Sequence, residues 1–332
     1  MRLSALAKTI LVSTGLTGVL IVVLCLSVGI GTTATEFGTL FAEGARSAES
    51  HKIWTIIVSY RLPRTLLAAI AGAGLASAGI VFQGVLKNPL ADPYLIGIAA
   101  GGSLGAVVSI CLFGESWLVG TSFSAFIGSL GAVGLVYGLA VARRGRDHVN
   151  TVILAGVIVG SLMNAVMLLI MSFSGSDEKQ RILFWLLGDL SLADYRKVSL
   201  AGLVVAAGWG LIYLNANRLN LLTAGDDAAA LLGLNVPRTR TFFMAVAAMV
   251  TGAIVSVSGT IGFVGLVVPH SMRLLFGPDH RVLLPAALLG GAAFLAASDC
   301  VARVVVYPVE LPVGVITTLS GGPFFLYLLM RK

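Results

Sequence analysis

Long apolar runs, repeated along the whole chain, constrain this sequence more than any other feature. The first, from Thr9 to about Gly31, follows Arg2 and Lys8 and carries no charged residue. An α-helix rises about 1.5 Å per residue, so about 20 apolar residues cross a hydrocarbon core of about 30 Å. The run is long enough to span and too long for a signal-peptide core, which predicts a retained first span over cleavage near Gly31–Ala34. Ten such spans are predicted, near 9–31, 63–86, 95–113, 118–142, 150–171, 198–216, 239–258, 261–276, 282–299 and 312–330. The eighth is short and has Pro269-His270 near its middle, so it is expected to be irregular or only partly lipid-facing. The spans follow one another too closely for a second soluble domain, and residues 1–332 are taken as a single membrane domain.

Composition agrees. Hydrophobic residues make up 57% of the chain and charged residues 11%, against about 25% charged in soluble domains. The 40 glycines lie largely inside apolar runs, where a missing side chain lets helix backbones approach. Cys25, Cys111 and Cys300 form no ligand-spaced pair and are read as small apolar residues.

An even number of spans puts both termini on one side. That side then holds thirteen of the 22 Lys and Arg residues, including the cluster Arg143-Arg144-Gly145-Arg146. The bias has the sign of the positive-inside rule and predicts cytoplasmic termini.

The longest polar interruption, Leu219 to Arg240, falls on that inner side. Thr223 with Asp226 three residues on reads as a capping box, and Asp226 and Asp227 suit the positive end of a helix dipole. Ala228, Ala229, Ala230, Leu231 and Leu232 favour helix, and Gly233 suits a left-handed closing residue. Asn235 then caps the next helix, with Pro237 in its first turn. A short helix between about 223 and 235, lying against the membrane, is either a knob for a partner or a surface linker.

At the outer end of span two, Arg61-Leu62-Pro63-Arg64 sets two cations where the topology rule disfavours them, with Pro63 placed to open the helix. They either snorkel to lipid headgroups or meet an acidic partner. Gly72, Ala76 and Gly79 give span two a small-residue packing face. It ends at Lys87-Asn88-Pro89-Leu90-Ala91-Asp92-Pro93, where two prolines forbid a continuing helix. Asp299 and Arg303 stand i, i+4, spaced for a salt bridge, and Glu310 follows. His270 has no second ligand at suitable spacing and is read as a packing histidine; no metal site is expected.

The chain has no Gly-Lys dipeptide and so no P-loop. It has no hydrolytic triad, no HExxH and no carboxylate near the middle of a span, which argues against both an enzyme and a proton-coupled carrier. Uphill transport would need a separate ATPase, and the inner helix is the place to dock it.

Five stretches, in order, resemble one family: RLPRTLLAAIAGAGLASAG, FQGVLKNPLADPYLIGI, GDDAAALLGLNVPRTR, GTIGFVGLVVPHSMRLLFGPDHRVLLP and DCVARVVVYPVELPVGVITTLSGGPFFLYLL. The family is that of the permease subunits of ABC importers for iron–siderophore complexes, haem and vitamin B12, the FecCD/BtuC type. The resemblance implies an all-α fold of ten spans in a homodimer. The substrate path would lie on the two-fold axis, with two ATPase subunits inside and a periplasmic or lipoprotein substrate-binding protein outside. It implies that Asp226, Asp227, Ala228, Ala230, Leu231, Leu232, Gly233 and Leu234 form the coupling helix. It implies that Arg61, Arg64 and Arg303 dock the binding protein. Asn88, Pro89 and Leu90 would contribute one cytoplasmic gate, and His148, Val149, Asn150 and Thr151 another. Met163, Asn164, Met167 and Met171 of span five are candidates for the path lining, set against plain packing. The chain departs from the family pattern at Asp189, where a small or hydroxyl residue is usual, and in Gly321-Gly322-Pro323, which carries Gly where Ala is commoner.

The expectation is therefore a multi-pass permease of a bacterial or archaeal plasma membrane that imports a metal chelate. It would hold no cofactor, since ATP and Mg belong to the partner, and it would bind no nucleic acid. A secondary transporter or channel working without ATP is the alternative.

Overall fold

The computed structural model describes residues 5–30, 48–113, 118–142, 148–306 and 308–330. Ten helices stand where the ten spans are expected. They are α1 (Ala5–Gly29), α3 (Leu62–Val85), α4 (Ile98–Phe113), α5 (Leu118–Ala142), α6 (His148–Phe173), α8 (Tyr195–Leu214), α11 (Val236–Ser258), α12 (Val264–Phe276), α13 (His280–Val304) and α14 (Val313–Met330). Four shorter helices lie between them: α2 (Ala48–Ile56), α7 (Ser176–Leu186), α9 (Ala216–Ala224) and α10 (Asp226–Leu231).

Helix α3 is the hub, buried on nearly every face and packed by α8, α11, α12 and α13. Its small residues permit this. A Cβ on Gly72 would sit 2.1 Å from the Gly291 carbonyl oxygen of α13, and one on Gly79 would sit 1.9 Å from that of Gly265 in α12. Pro269 has no N–H to offer the Gly265 carbonyl four residues back. The Gly79 backbone packs over that carbonyl.

Two local expectations change. Pro63 lies in the first turn of α3 as expected, but the chain before it is not a loop: α2 runs into α3 through a π-helical turn, Ile57–Arg61. A proline ring clashes with the carbonyl at i−4, here Ser59, and the wider turn accommodates it. Thr223 caps nothing. It lies in the last turn of α9, donating to Asn220 O at 2.8 Å, and Gly225 at φ +128° separates α9 from α10. The closing features hold: Gly233 has φ +81°, and the Asn235 side chain accepts from Arg238 N at 3.2 Å.

Three spans are short because each begins at a break in the helix. The chain runs through 86–97 before α4, through 259–263 before α12, and through 305–306 and 308–312 before α14. Phe263, at φ +68°, is the turn residue that delays α12 to Val264. Gly321 faces it, with an added Cβ only 2.6 Å from the Phe263 side chain.

Candidate functional site

The broken segments meet one another inside the bundle. Asp92 caps the turn Pro93–Ile96 by accepting from Tyr94 N at 2.8 Å. The Tyr94 hydroxyl donates to Ile261 O at 3.1 Å and accepts from Ile261 N at 3.0 Å, tying the first break to the second. Thr260 Oγ1 donates to Leu186 O, and Gly314 N donates to Leu187 O at 3.1 Å, which brings in the end of α7 and the start of α14. Buried backbone without helical partners is thus satisfied by side chains and by neighbouring breaks, as membrane depth requires.

Beside this junction lies a cavity of about 740 Å³, walled by α4, α6, α14 and the breaks. Its polar groups are neutral: Tyr94, Ser103, Ser161, Asn164, Thr260 and Thr318. No Asp, Glu, Lys, Arg or His is among the described residues that line it. Such a wall holds no titrating group at physiological pH and offers a bulky solute weak, interchangeable contacts. Of the span-five candidates only Asn164 reaches it, on the stripe of Gly156, Gly160 and Ser161. Met163 packs against the main core, while Met167 and Met171 pack with Val107 and Ile182 of α4 and α7. None of the three methionines lines this cavity. Tyr94 and Thr260 lay in quoted motifs, and only a lone polar group in an apolar run marked them. Asp189 stays out of the cavity, its carboxylate closing a turn onto Ser191 N and Oγ at 2.7 and 2.8 Å.

At one end of the bundle α10 stands clear of the core. Leu231 is 89% exposed and Leu232 69%, while Ala229 is buried beneath them. Asp227, Ala228, Ala230 and Gly233 are exposed, and Leu234 is half-buried. Asp226 anchors the helix: its carboxylate accepts from Arg240 of α11 at 2.9 and 3.0 Å and from Lys87 Nζ at 2.9 Å. Burial works against its charged form, but the hydrogen bonds and charges of Lys87 and Arg240 prevail and hold it below the ordinary carboxylate range. Lys87 adjoins Asn88, half-buried, and Pro89 and Leu90, both exposed. Asn150 and Thr151 lie in the first turn of α6, and the side chains of His148 and Val149 fall outside the described residues. So do the basic residues Arg143, Arg144 and Arg146.

At the far end of α3, about 36 Å away for its 24 residues, the three arginines expected to face a partner turn inward. Arg61, Arg64 and Arg303 are 5%, 9% and 3% exposed. Arg64 and Arg303 both pair with Asp299, which is fully buried, and Arg64 also pairs with Glu310. Arg61 donates to Val28 O and Gly29 O, and Arg303 to Ser27 O, at the end of α1. Their contacts within the chain are the Asp299 and Glu310 carboxylates and backbone carbonyls at the end of α1. Their charge is spent on joining α1, α3 and α13.

Ten helices packed beside an uncharged cavity, with the side chains of Leu231 and Leu232 bare at one end, have the architecture of a membrane permease. The comparisons agree. This chain belongs to the FecCD transport family, whose model matches residues 19–331. It is 38% identical over 323 residues to the hemin transport system permease protein HmuU of Yersinia pestis, covering 95% of this chain and 94% of that one. It is 44% identical over 277 residues to the cobalamin import system permease protein BtuC of Halobacterium salinarum, covering 83% and 74%. A solved chain from a metal-chelate type ABC transporter in an inward-facing conformation superposes with TM-score 0.85 at 29% identity, over 96% of this chain and 99% of that one. The protein is an ABC importer permease, a transport subunit and not an enzyme. It works in a membrane with ATPase and substrate-binding partners.

Proposed function

We propose that the chain forms one half of a homodimeric permease carrying a bulky metal chelate inward across the plasma membrane of a bacterium or archaeon. Relatives named for hemin, cobalamin and Fe(3+)-citrate support that cargo class. So does a wide cavity with neutral walls, which tolerates large ligands of differing charge. Both termini and α10 face the cytoplasm in this reading. Two ATPase subunits bind there, holding the ATP and magnesium that this chain does not. A soluble or lipid-anchored receptor docks at the opposite face, whose shape the buried Arg64–Asp299–Arg303 cluster fixes from within.

One observation carries the mechanism. Asp226 bridges Lys87 and Arg240, so α10 is fastened at once to the start of α11 and to the residue beside Asn88-Pro89-Leu90. An ATPase gripping Leu231 and Leu232 would move Asp226, and with it the break that leads through Asp92 and Tyr94 to the cavity wall. The residues 88–90 then act as the inner gate, with 148–151 as its counterpart on α6. The single domain works as one lever because its breaks are hydrogen-bonded to each other.

Reconstitution with the partner ATPase and receptor tests this. Leu231→Asp puts a charge on the gripping face without touching the bundle, and it should leave ATP hydrolysis running while uptake into vesicles falls at least about tenfold, the factor of about 1.4 kcal/mol. Uptake at the parent rate would overturn the coupling role of α10.

A further inference from the structure

A second cavity, of about 390 Å³, lies on the flank of the bundle between α5, α8 and α11, away from the translocation cavity. Its floor is made of small buried residues, Ala201, Ala253 and Ser256, and its walls of Phe123, Phe126 and Leu200. The absence of bulk on the floor, between bulky walls, makes a crevice where three helices would otherwise present a flat face. It opens toward the end of the bundle that holds Arg64, because Tyr195, at the start of α8, donates to Val58 O beside Arg61 at 2.7 Å.

At that mouth stand Arg196 and Lys197. The Arg196 guanidinium is exposed and has no ion pair among the described residues. Lys197 gives one N–H to Leu192 O at 2.7 Å and keeps two for a ligand. Asp194 is also at the mouth, its carboxylate accepting from the Lys197 backbone N–H and capping α8, and both Asp194 and Asp189 lie within electrostatic reach of Lys197, so Arg196 is the cation left uncompensated there. From Arg196 down to Val204 the crevice follows α8 for about 12 Å, close to the roughly 15 Å depth of one leaflet's hydrocarbon. Two adjacent cations on the outer side run against the positive-inside rule and ask for an anionic neighbour at headgroup level.

We propose that this crevice is a binding site for an anionic phospholipid of the outer leaflet, its phosphate on Arg196 and Lys197 and one acyl chain along Phe123, Leu200 and Val204. The choice of leaflet rests on the orientation given above; the site itself does not. Lipid tails are as apolar as the crevice, so the walls cannot favour one lipid over another. Selection comes from the mouth. A zwitterionic lipid brings its own cation to Arg196, whereas phosphatidylglycerol brings only negative charge.

The test uses the full chain in nanodiscs with tryptophan placed on the wall, Phe123→Trp, and its fluorescence read as the difference from the parent protein. Phosphatidylglycerol with brominated chains, at low mole fraction in phosphatidylcholine, should quench the new tryptophan about fivefold more effectively than brominated phosphatidylcholine. Arg196→Gln with Lys197→Gln should erase that ratio. Because the double variant could misfold, Val204→Trp provides a second arm: filling the crevice with both cations intact should remove the phosphatidylglycerol retained in native mass spectra. Equal quenching by the two lipids would reduce the cations to unselective snorkelling and overturn the proposal. So would a preference that survives the double variant, or no quenching by either lipid, which would mean that protein covers the crevice.

Discussion

Arg64 Nε donates to both carboxylate oxygens of Asp299, at 3.0 and 3.2 Å, across 235 residues of sequence. The same carboxylate takes Arg303 at 3.2 Å, so one fully buried anion holds two buried guanidinium groups and clamps α3 to α13. Removing it leaves Arg303 buried without a carboxylate and Arg64 with Glu310 alone. Asp299→Ala is expected to cost about 3–5 kcal/mol, seen as a lower unfolding midpoint in detergent and poor recovery from membranes. Unfolding indistinguishable from the parent would show that the cluster is not a clamp.

Asp226→Asn should loosen α10 while leaving the bundle intact. Lys87 and Arg240 lower the Asp226 carboxyl below its ordinary value, so the ionised group is the stabilised one in the folded protein. Its contribution is complete above about pH 5 and is lost as acidity passes through the lowered value. Coupling of hydrolysis to uptake should therefore be flat in pH from about 5 to 8 in the parent. It should be weakened throughout that range in the variant, as read from transported substrate per ATP.

Gly72→Ala should destabilise by about 1–3 kcal/mol or more, because the new methyl meets the Gly291 carbonyl oxygen at 2.1 Å. Gly131→Ala is the control, with nothing within 4 Å of the added carbon. It should be neutral or slightly stabilising in its helix. Thermal unfolding of both variants side by side separates the packing contact from helix propensity.

Much of the architecture was legible because it is local. A run such as 9–31 becomes a helix wherever water is absent, since backbone groups in lipid must bond within the segment. Gly233 and Asn235 end one helix and begin the next through atoms within a few residues of each other. The Asp299–Arg303 pair needed only the pitch of a helix.

What stayed hidden was the rotation of helices and the meeting of distant residues. In α6, Asn164 faces the cavity and Met163 the core, and both sit in the same apolar run. In a membrane no difference in water exposure tells one face from another, so only the packed neighbours fix which residue lines the path. The arginines at 61, 64 and 303 read as surface groups until α1 and α13 enclosed them. The sequence by itself determined that this chain crosses a membrane about ten times and has no phosphate-binding loop. The tertiary structure alone decided which charges are consumed internally and that α10 is tied through Asp226 to Lys87 and Arg240. Pairings between residues so far apart in the chain depend on how the helices pack, and no local pattern encodes that packing.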